Sequence, residues 1–416
     1  MPAISLANID QILKTLYKDK VPEVGHKPPV LWSMLKKNTA FKGRNTSIST
    51  QYSRTKGRSR TFADARANSG NSDFVEFLVT RAQDYAVIQI QTETLEAAKD
   101  AGAKLNYLRR ESRSGMDKLK HNANRAAYRN TGGALARILA VGGGGGTATI
   151  TVQEPTDLTF LDVGDTLTGA ATDGTAGADG TNPTVVTAID RVAGTITTSA
   201  TWDAADFADG NYIFVEGDFG QAFAGLAAWV PAIAPVVGSS FFNVDRGVDD
   251  LRLGGMRIVA EAADGTIEAF LKRAITEHGI QGGMADVAMV NPIVWDLLSE
   301  ELGNKVRYAK QPAMTSAGAD KAFAGFTGIV ICADSREVKV IADRDCPKGT
   351  SYLLDLDHFW WEGLGESPRY IEHGNLGGWL QMDDEDAMEG RMVVRGNFVS
   401  DAPGKLATLD MTEVTT

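Results

Sequence analysis

From Glu93 to Arg129 the chain contains no proline, and Leu95, Ala98, Gly102, Leu105, Leu108, Ser112, Met116, Leu119, Ala123 and Ala126 recur every three or four positions. A helix over this stretch would span roughly 55 Å, well beyond the width of a small domain. The apolar stripe is narrow and many of its members are small. That pattern suits a rod laid along a sheet better than a helix in a bundle core. Thr92 can cap the helix, Glu93 and Glu96 suit its positive end, and Asn130-Thr131-Gly132-Gly133 ends it.

A rod this long needs a large body to carry it. The chain has 416 residues, 43% of them hydrophobic, enough for two or three domains with real cores. No apolar run reaches transmembrane length, and the N-terminus lacks a basic region followed by an apolar stretch. A membrane location and a secretory leader are therefore not expected. Two cysteines, Cys332 and Cys346, are too few for a disulfide framework and read as reduced thiols, although pairing across neighbouring strands stays open.

Charge is divided along the chain. Residues 1–140 hold 24 Lys+Arg against 12 Asp+Glu, and the remainder carries enough acid to bring the net charge to −11. Basic and acidic parts on one chain suggest complementary surfaces, either for nucleic acid or for self-association. The negative total argues against a dedicated DNA-binding protein.

Residues 1–43 read as an arm. Ile9, Ile12, Leu13 and Leu16 form one short helical stripe, and Val30–Leu35 is an apolar segment that must lie on its own body or a neighbour's. Residues 44–92 read as a long two-stranded hairpin, with strands at 46–52, 74–79 and 85–90 and a basic, irregular tip. Such a ribbon is marginal alone and is expected to rest on something else. Residues 93–141 hold the long helix. Gly142–Gly146 reads as a flexible hinge, because a phosphate loop would need a following Gly-Lys-Ser/Thr and a helix. Residues 142–217 form a β-rich insert poor in basic residues. Residues 218–350 alternate helices and strands, and 351–416 close the chain with further strands. The fold class is α+β.

The chain presents no catalytic, cofactor-binding or metal-binding constellation. Its histidines (His26, His121, His278, His358, His373) are scattered, and no nucleophile elbow occurs. Asp383-Asp384-Glu385-Asp386 reads as a solvated loop or an intersubunit contact before an ion site. The strongest positive feature is the basic group Arg54, Lys56, Arg58, Arg60 and Arg66 among small polar residues. It reads as a solvated loop, as a tip docking on an acidic patch of an adjacent subunit, or, ranked last, as a DNA contact. Trp32, in the apolar segment of the arm, joins this set of subunit-contact candidates. In Trp360-Trp361 the two side chains point to opposite faces of a strand, so one belongs in a core and the other can meet a neighbour.

Several segments together resemble the major capsid protein of tailed double-stranded DNA phages. They are the hairpin leading into the helix (Phe74–Arg129); Phe223-Ala224-Gly225-Leu226 with Asp245-Arg246 and Leu251; Asp286-Val287-Ala288-Met289-Val290-Asn291-Pro292 with Trp295 and Leu298; Ser351–Trp360; and Asp386-Ala387 with Gly396-Asn397-Phe398. The resemblance covers most of the chain and rests on the order of the motifs. It implies a tailed-phage capsid fold with an N-terminal arm, an extended hairpin loop, a spine helix in a peripheral domain, an axial domain at 218–350, and a return to the peripheral domain from 351. It further implies a structural, non-enzymatic protein that builds an icosahedral shell of hexamers and pentamers around packaged DNA. Partners would be other copies of the chain, a scaffolding protein, a portal protein and, through the insert, a decoration protein, with DNA met only non-specifically. The chain starts directly with the arm, so a separate scaffold, or prior removal of a leading segment, is expected. A nanocompartment shell protein of the same fold, enclosing a cargo enzyme, is the alternative.

Overall fold

The computed structural model describes residues 28–39, 41–92, 101–142, 149–199, 205–303, 328–371, 379–383 and 386–415, with backbone alone for 101–110. The expected helix around Ile9–Leu16, most of the glycine run, and Asp384 and Glu385 lie outside these residues.

The long helix runs from Ala101 to Ala126 among the described residues. It lies along a six-stranded sheet whose central strand, Ala387–Ser400, spans roughly 45 Å. Ala82–Gln91 pairs along one edge of that strand, from Gln91 opposite Ala387 to Ala82 opposite Gly396. Phe359–Gly363 pairs with its C-terminal end, and Lys36–Asn38 of the arm adds in parallel beyond. The small residues of the helix explain its close seat: a Cβ at Gly115 would overlap Met392 and crowd Ile88 of the sheet. Leu119, Ala123, Ala127 and Tyr128 enter the core with Phe77, Trp361, Met392 and Phe398.

A second six-stranded sheet has the order Met256–Val259, Ala407–Asp410, Thr350–Leu354, Val287–Val290, Arg336–Ala342, Ile329–Ala333. All four residues of Val287–Val290 are buried, as expected of a strand covered on both faces. Helices Ile267–Ile280 and Pro292–Gly303 pack on this sheet. Thr266 caps the first helix, its Oγ1 accepting from the Ala269 amide at 3.2 Å. Asn291 positions the second: its Oδ1 accepts from Ile293 N at 3.0 Å, and Pro292 sits at the first helical position.

Six strands close into a barrel between the long helix and the second sheet: Tyr212–Val215, Ala136–Gly142, Thr149–Val152, Thr195–Thr198, Thr184–Asp190 and Thr166–Ala170. Ile138, Ile150, Leu167, Val186, Ile196, Phe207 and Ile213 fill it.

Four expectations are corrected. The ribbon is the pair Asn45–Gln51 with Phe74–Thr80 only; Ala82–Gln91 leaves it to join the first sheet, because its full length pairs with Ala387–Gly396. The ribbon tip carries a short helix, Phe62–Ala67, where irregular chain was expected. The barrel starts at Ala136 rather than at 142, and Gly142 pairs with Thr149. The closing segment divides: Thr350–Leu354 and Ala407–Asp410 pair in the second sheet, while Phe359–Gly363 and Ala387–Ser400 pair in the first. Strand partnership is non-local, so a cut along the sequence cannot assign it.

The helix also ends three residues earlier than expected. Leu226 N donates to Ala127 O at 2.7 Å, and Gly225 passes so close that a Cβ would overlap the carbonyl oxygen of Ala126. Gly225→Ala is expected to destabilise the chain by about 2 kcal/mol or more, seen as a lower denaturation midpoint in urea.

Candidate assembly surfaces

The ribbon departs from the body beside Phe41 and returns beside Arg81. Its inward face, Ile48, Phe77 and Val79, is buried in the first core, so the proximal half is rooted in its own chain. Phe77 meets Trp229 at 5.2 Å between ring centroids. Thr50 Oγ1 donates to the Asp401 carbonyl at 2.6 Å, and the Arg252 guanidinium donates to Tyr52 O at 2.5 Å.

Beyond Tyr52 no hydrogen bond or ion pair ties the ribbon to the body among the described residues. Arg54, Lys56, Arg58, Arg60 and Arg66 all lie on this tip and are exposed. Lys56 pairs with Asp73 at 2.9 Å, and that pair closes the neck of the tip together with the Lys56–Gly70 bridge. Arg54, Arg58, Arg60 and Arg66 have no carboxylate within ion-pair distance among the described residues. The tip helix adds Phe62, which is 82% exposed, and Phe74 at the end of the ribbon is 63% exposed. The two phenylalanines were not singled out in the sequence; their signal is an aromatic residue set among arginines and small polar residues in a segment with no apolar periodicity. Large exposed aromatics beside arginines are the composition of interface hot spots.

Trp32 belongs elsewhere. It is 2% exposed and packs edge-on against Trp361 at 5.0 Å and Phe398 at 6.0 Å. The expectation that it meets a neighbouring subunit is corrected: the short helix Val30–Met34 buries Leu31 and Trp32 in its own chain. Of the adjacent tryptophans, Trp361 is in the core, and Trp360 is half-buried with its Nε1 donating to Glu362 Oε2 at 2.9 Å. Cys332 is exposed, Cys346 is buried, and both are free. Among the described residues no group of His, Cys, Asp or Glu is arranged to hold a metal ion.

The arm is held by a buried polar network. Asp343, 3% exposed, accepts from Leu31 N at 3.1 Å, from Tyr128 Oη at 2.9 Å and from Asn124 Nδ2 at 3.1 Å. Asn124 Oδ1 accepts from Trp32 N at 2.7 Å, and its amide also donates to Asp345. Burial pushes the Asp345 carboxyl above its ordinary range, opposed by the hydrogen bond from Asn124 and reinforced by the charge of Asp343. Removing one member strands the others in a dry interior. Asn124→Ala is expected to cost about 2–3 kcal/mol, measured by urea denaturation.

The barrel is fixed to the same end of the helix. Arg129 pairs with Asp157 at 2.8 Å, and the buried Arg125 guanidinium lies 4.5 Å from the centre of the Phe160 ring and donates to Leu135 O. Asn130 Nδ2 donates to Asp173 Oδ2 at 2.6 Å. Burial pulls Arg125 down to about 10, with the neighbouring Arg129 charge adding to it and Asp157 opposing. A cavity of about 210 Å³ remains at this junction, edged by Arg137, Glu154 and Lys348.

Under the helix, burial pushes Asp84 up to about 6, against a hydrogen bond from Asn122 at 3.4 Å. The folded protein thus holds this proton more tightly than the unfolded chain. The cost of ionising Asp84 is absent below about pH 4 and grows as pH rises through 6. Asp84→Asn is expected to raise the thermal midpoint at pH 7.5 and to leave it nearly unchanged at pH 4.

The fold is thus a long helix along a long-stranded sheet, an arm, a projecting ribbon, a barrel and a separate sheet with two covering helices. The chain is similar to a solved structure of the cyanophage A-1(L) capsid asymmetric unit, with a TM-score of 0.57 and 12% identity over 98% of this chain and 100% of that one. That likeness shows the shared fold. The holo-SrpI encapsulin complex from Synechococcus elongatus PCC 7942 is similar at a TM-score of 0.48 and 10% identity, over 100% of this chain and 98% of that one. A structure from Mycobacterium phage Bobi gives 0.46 and 10%, over 98% of each chain. No protein-family model matches the chain, and no curated protein matches it.

Proposed function

We propose that the chain is the major capsid protein of a tailed phage, a structural subunit that assembles with copies of itself into the closed head shell around double-stranded DNA. The observation that carries this reading is the end-to-end likeness to a phage capsid subunit, which leaves almost no part of either chain unmatched. The surface fits the same reading. A ribbon whose distal end finds no ion-pair or hydrogen-bond partner on the body among the described residues suits a protein whose partner is another copy. Many modest contacts, repeated around rings of six and five, then close a shell without any single strong interface.

In this reading the first sheet with the long helix forms the peripheral body and the second sheet the axial body. A scaffolding protein guides assembly, a portal protein occupies one vertex, and the barrel offers a place for a decoration protein. The protein acts by assembly and not by catalysis.

Negative-stain electron microscopy of the purified chain, with and without its scaffolding protein, tests the proposal. Closed shells, tubes or rings support it, and a shell of nanocompartment size would move the reading to a cargo-enclosing relative. A chain that stays monomeric under all these conditions overturns it. Reversing the charge of Arg54, Arg58 and Arg60 together is expected to abolish shells while circular dichroism and the thermal midpoint of the monomer stay unchanged, because all three side chains are exposed. Normal shells from that variant would exclude a role for the basic tip.

A further inference from the structure

The cavity of about 210 Å³ at the foot of the barrel lies between two walls. Arg137, Glu154 and Tyr212 line it on the barrel side, and Arg344 and Lys348, in the turn after the strand Arg336–Ala342, line it on the side of the second sheet. Its charge runs against its surroundings. Between residues 130 and 217 the only basic residues are Arg137 and Arg191, among eleven acidic ones. Arg191 donates to Leu161 O at 2.7 Å and lies 3.8 Å from Asp162. Arg137 is the one placed at the cavity.

Pairing within the chain leaves cations over. Arg129 meets Asp157 at 2.8 Å and Arg344 meets Asp345 at 3.2 Å, whereas Lys348 reaches Glu154 only at 3.7 Å. Arg137 has no carboxylate within ion-pair distance among the described residues. Its Nε donates to Gly210 O at 3.0 Å, and its guanidinium lies 5.5 Å from the centre of the Tyr212 ring. The group is thereby held in place, while its two terminal nitrogens find no protein partner among the described residues. Buried Arg125, beside the Phe160 ring, adds a further charge and shares Asp157 at 3.9 Å. These five cations exceed the three carboxylates by two, and burial holds Asp345 toward its neutral form. The Nε atoms of Arg125 and Arg129 are buried without a hydrogen-bond partner among the described residues. A buried cationic donor without an acceptor costs free energy that a bound anion recovers.

We propose that this cavity binds a phosphate-type dianion, with Arg137 and Lys348 as its principal ligands. A surplus of two positive charges matches a dianion. The guanidinium fork donates to two oxygens at once, and the ammonium adds a point charge. At about 30 Å³ per water, the cavity holds roughly seven waters, or one tetrahedral oxyanion with bridging waters. Bound there, the anion joins the barrel to the turn that follows Asp343 and braces the one on the other. Inorganic phosphate and the phosphate of a nucleotide share this chemistry. Both walls belong to one chain, so binding needs no second copy and stands apart from the shell reading.

Titration of the full chain with inorganic phosphate, and separately with a nucleoside monophosphate, at constant ionic strength and followed by phosphorus NMR, tests the site. Saturable line broadening is expected, together with a thermal midpoint that rises with phosphate. Arg137→Gln with Lys348→Gln is expected to weaken binding about tenfold or more. The phosphate-free midpoint of this variant stays nearly unchanged, because both side chains are exposed. Lys348→Gln alone, which breaks only a loose surface pair, is expected to weaken binding in the same direction. Arg58→Gln with Arg60→Gln removes the same charge from the ribbon tip and is expected to bind as the parent does. Saturation by inorganic phosphate identifies the free ion as the ligand, and saturation by the nucleotide alone identifies a phosphate carried on a larger molecule; either result supports the site. Absence of saturation with both probes overturns it, as does undiminished binding by the Arg137 and Lys348 variant or equal weakening in the ribbon-tip variant.

Discussion

The Asp343 carboxyl holds the molecule together at the point where its parts meet. It gathers an amide from the arm, an amide from the long helix, a phenol from the turn just past that helix, and the turn that carries Asp345. Asn124 returns one bond to the arm and one to Asp345. A network of this kind is favourable only when complete, since a buried member that loses its partner bears the full cost of its burial. The adjoining helical turn accepts Leu226 and Tyr352 and, through Arg125 and Arg129, carries the barrel. Arm, helix, barrel and both sheets are therefore positioned from one short stretch, residues 124–130.

That concentration of constraint leaves the opposite end of the molecule free to do something else. The ribbon is rooted by Phe77 and Val79, and its tip bonds only to itself among the described residues. Exposed phenylalanines, and arginines that find no carboxylate among the described residues, are costly on a monomer, because they invite association. They become useful when the association is specific and repeated. The charge along the chain is likewise uneven, with the basic excess in residues 1–140, the ribbon tip included, and the acidic excess in the remainder.

Much of this was readable beforehand. The strand Val287–Val290 and the Asn291-Pro292 helix start are explicit in residue pattern, because each depends on neighbours within a few positions. The long helix was legible for the same reason, although its end was not: Gly225, a hundred residues away, decides where it stops. The basic tip was legible as charge. Its phenylalanines were not, since exposure of an aromatic residue is a property of what fails to cover it. Trp32 failed in the opposite direction. Read on a basic arm it looked like a surface anchor, and only Trp361 and Phe398, more than three hundred residues later, make it core.

The sequence by itself determined the fold class, the order of elements and the division of charge, because local periodicity, capping and composition act over short distances along the chain. Only long-range contacts settle which strands share a sheet, that the β-rich insert closes as a barrel beginning at Ala136, and that Phe62 and Phe74 on the ribbon are left exposed. Those outcomes depend on pairing and burial between residues far apart in sequence, and one residue's period says nothing about which distant strand will satisfy its backbone.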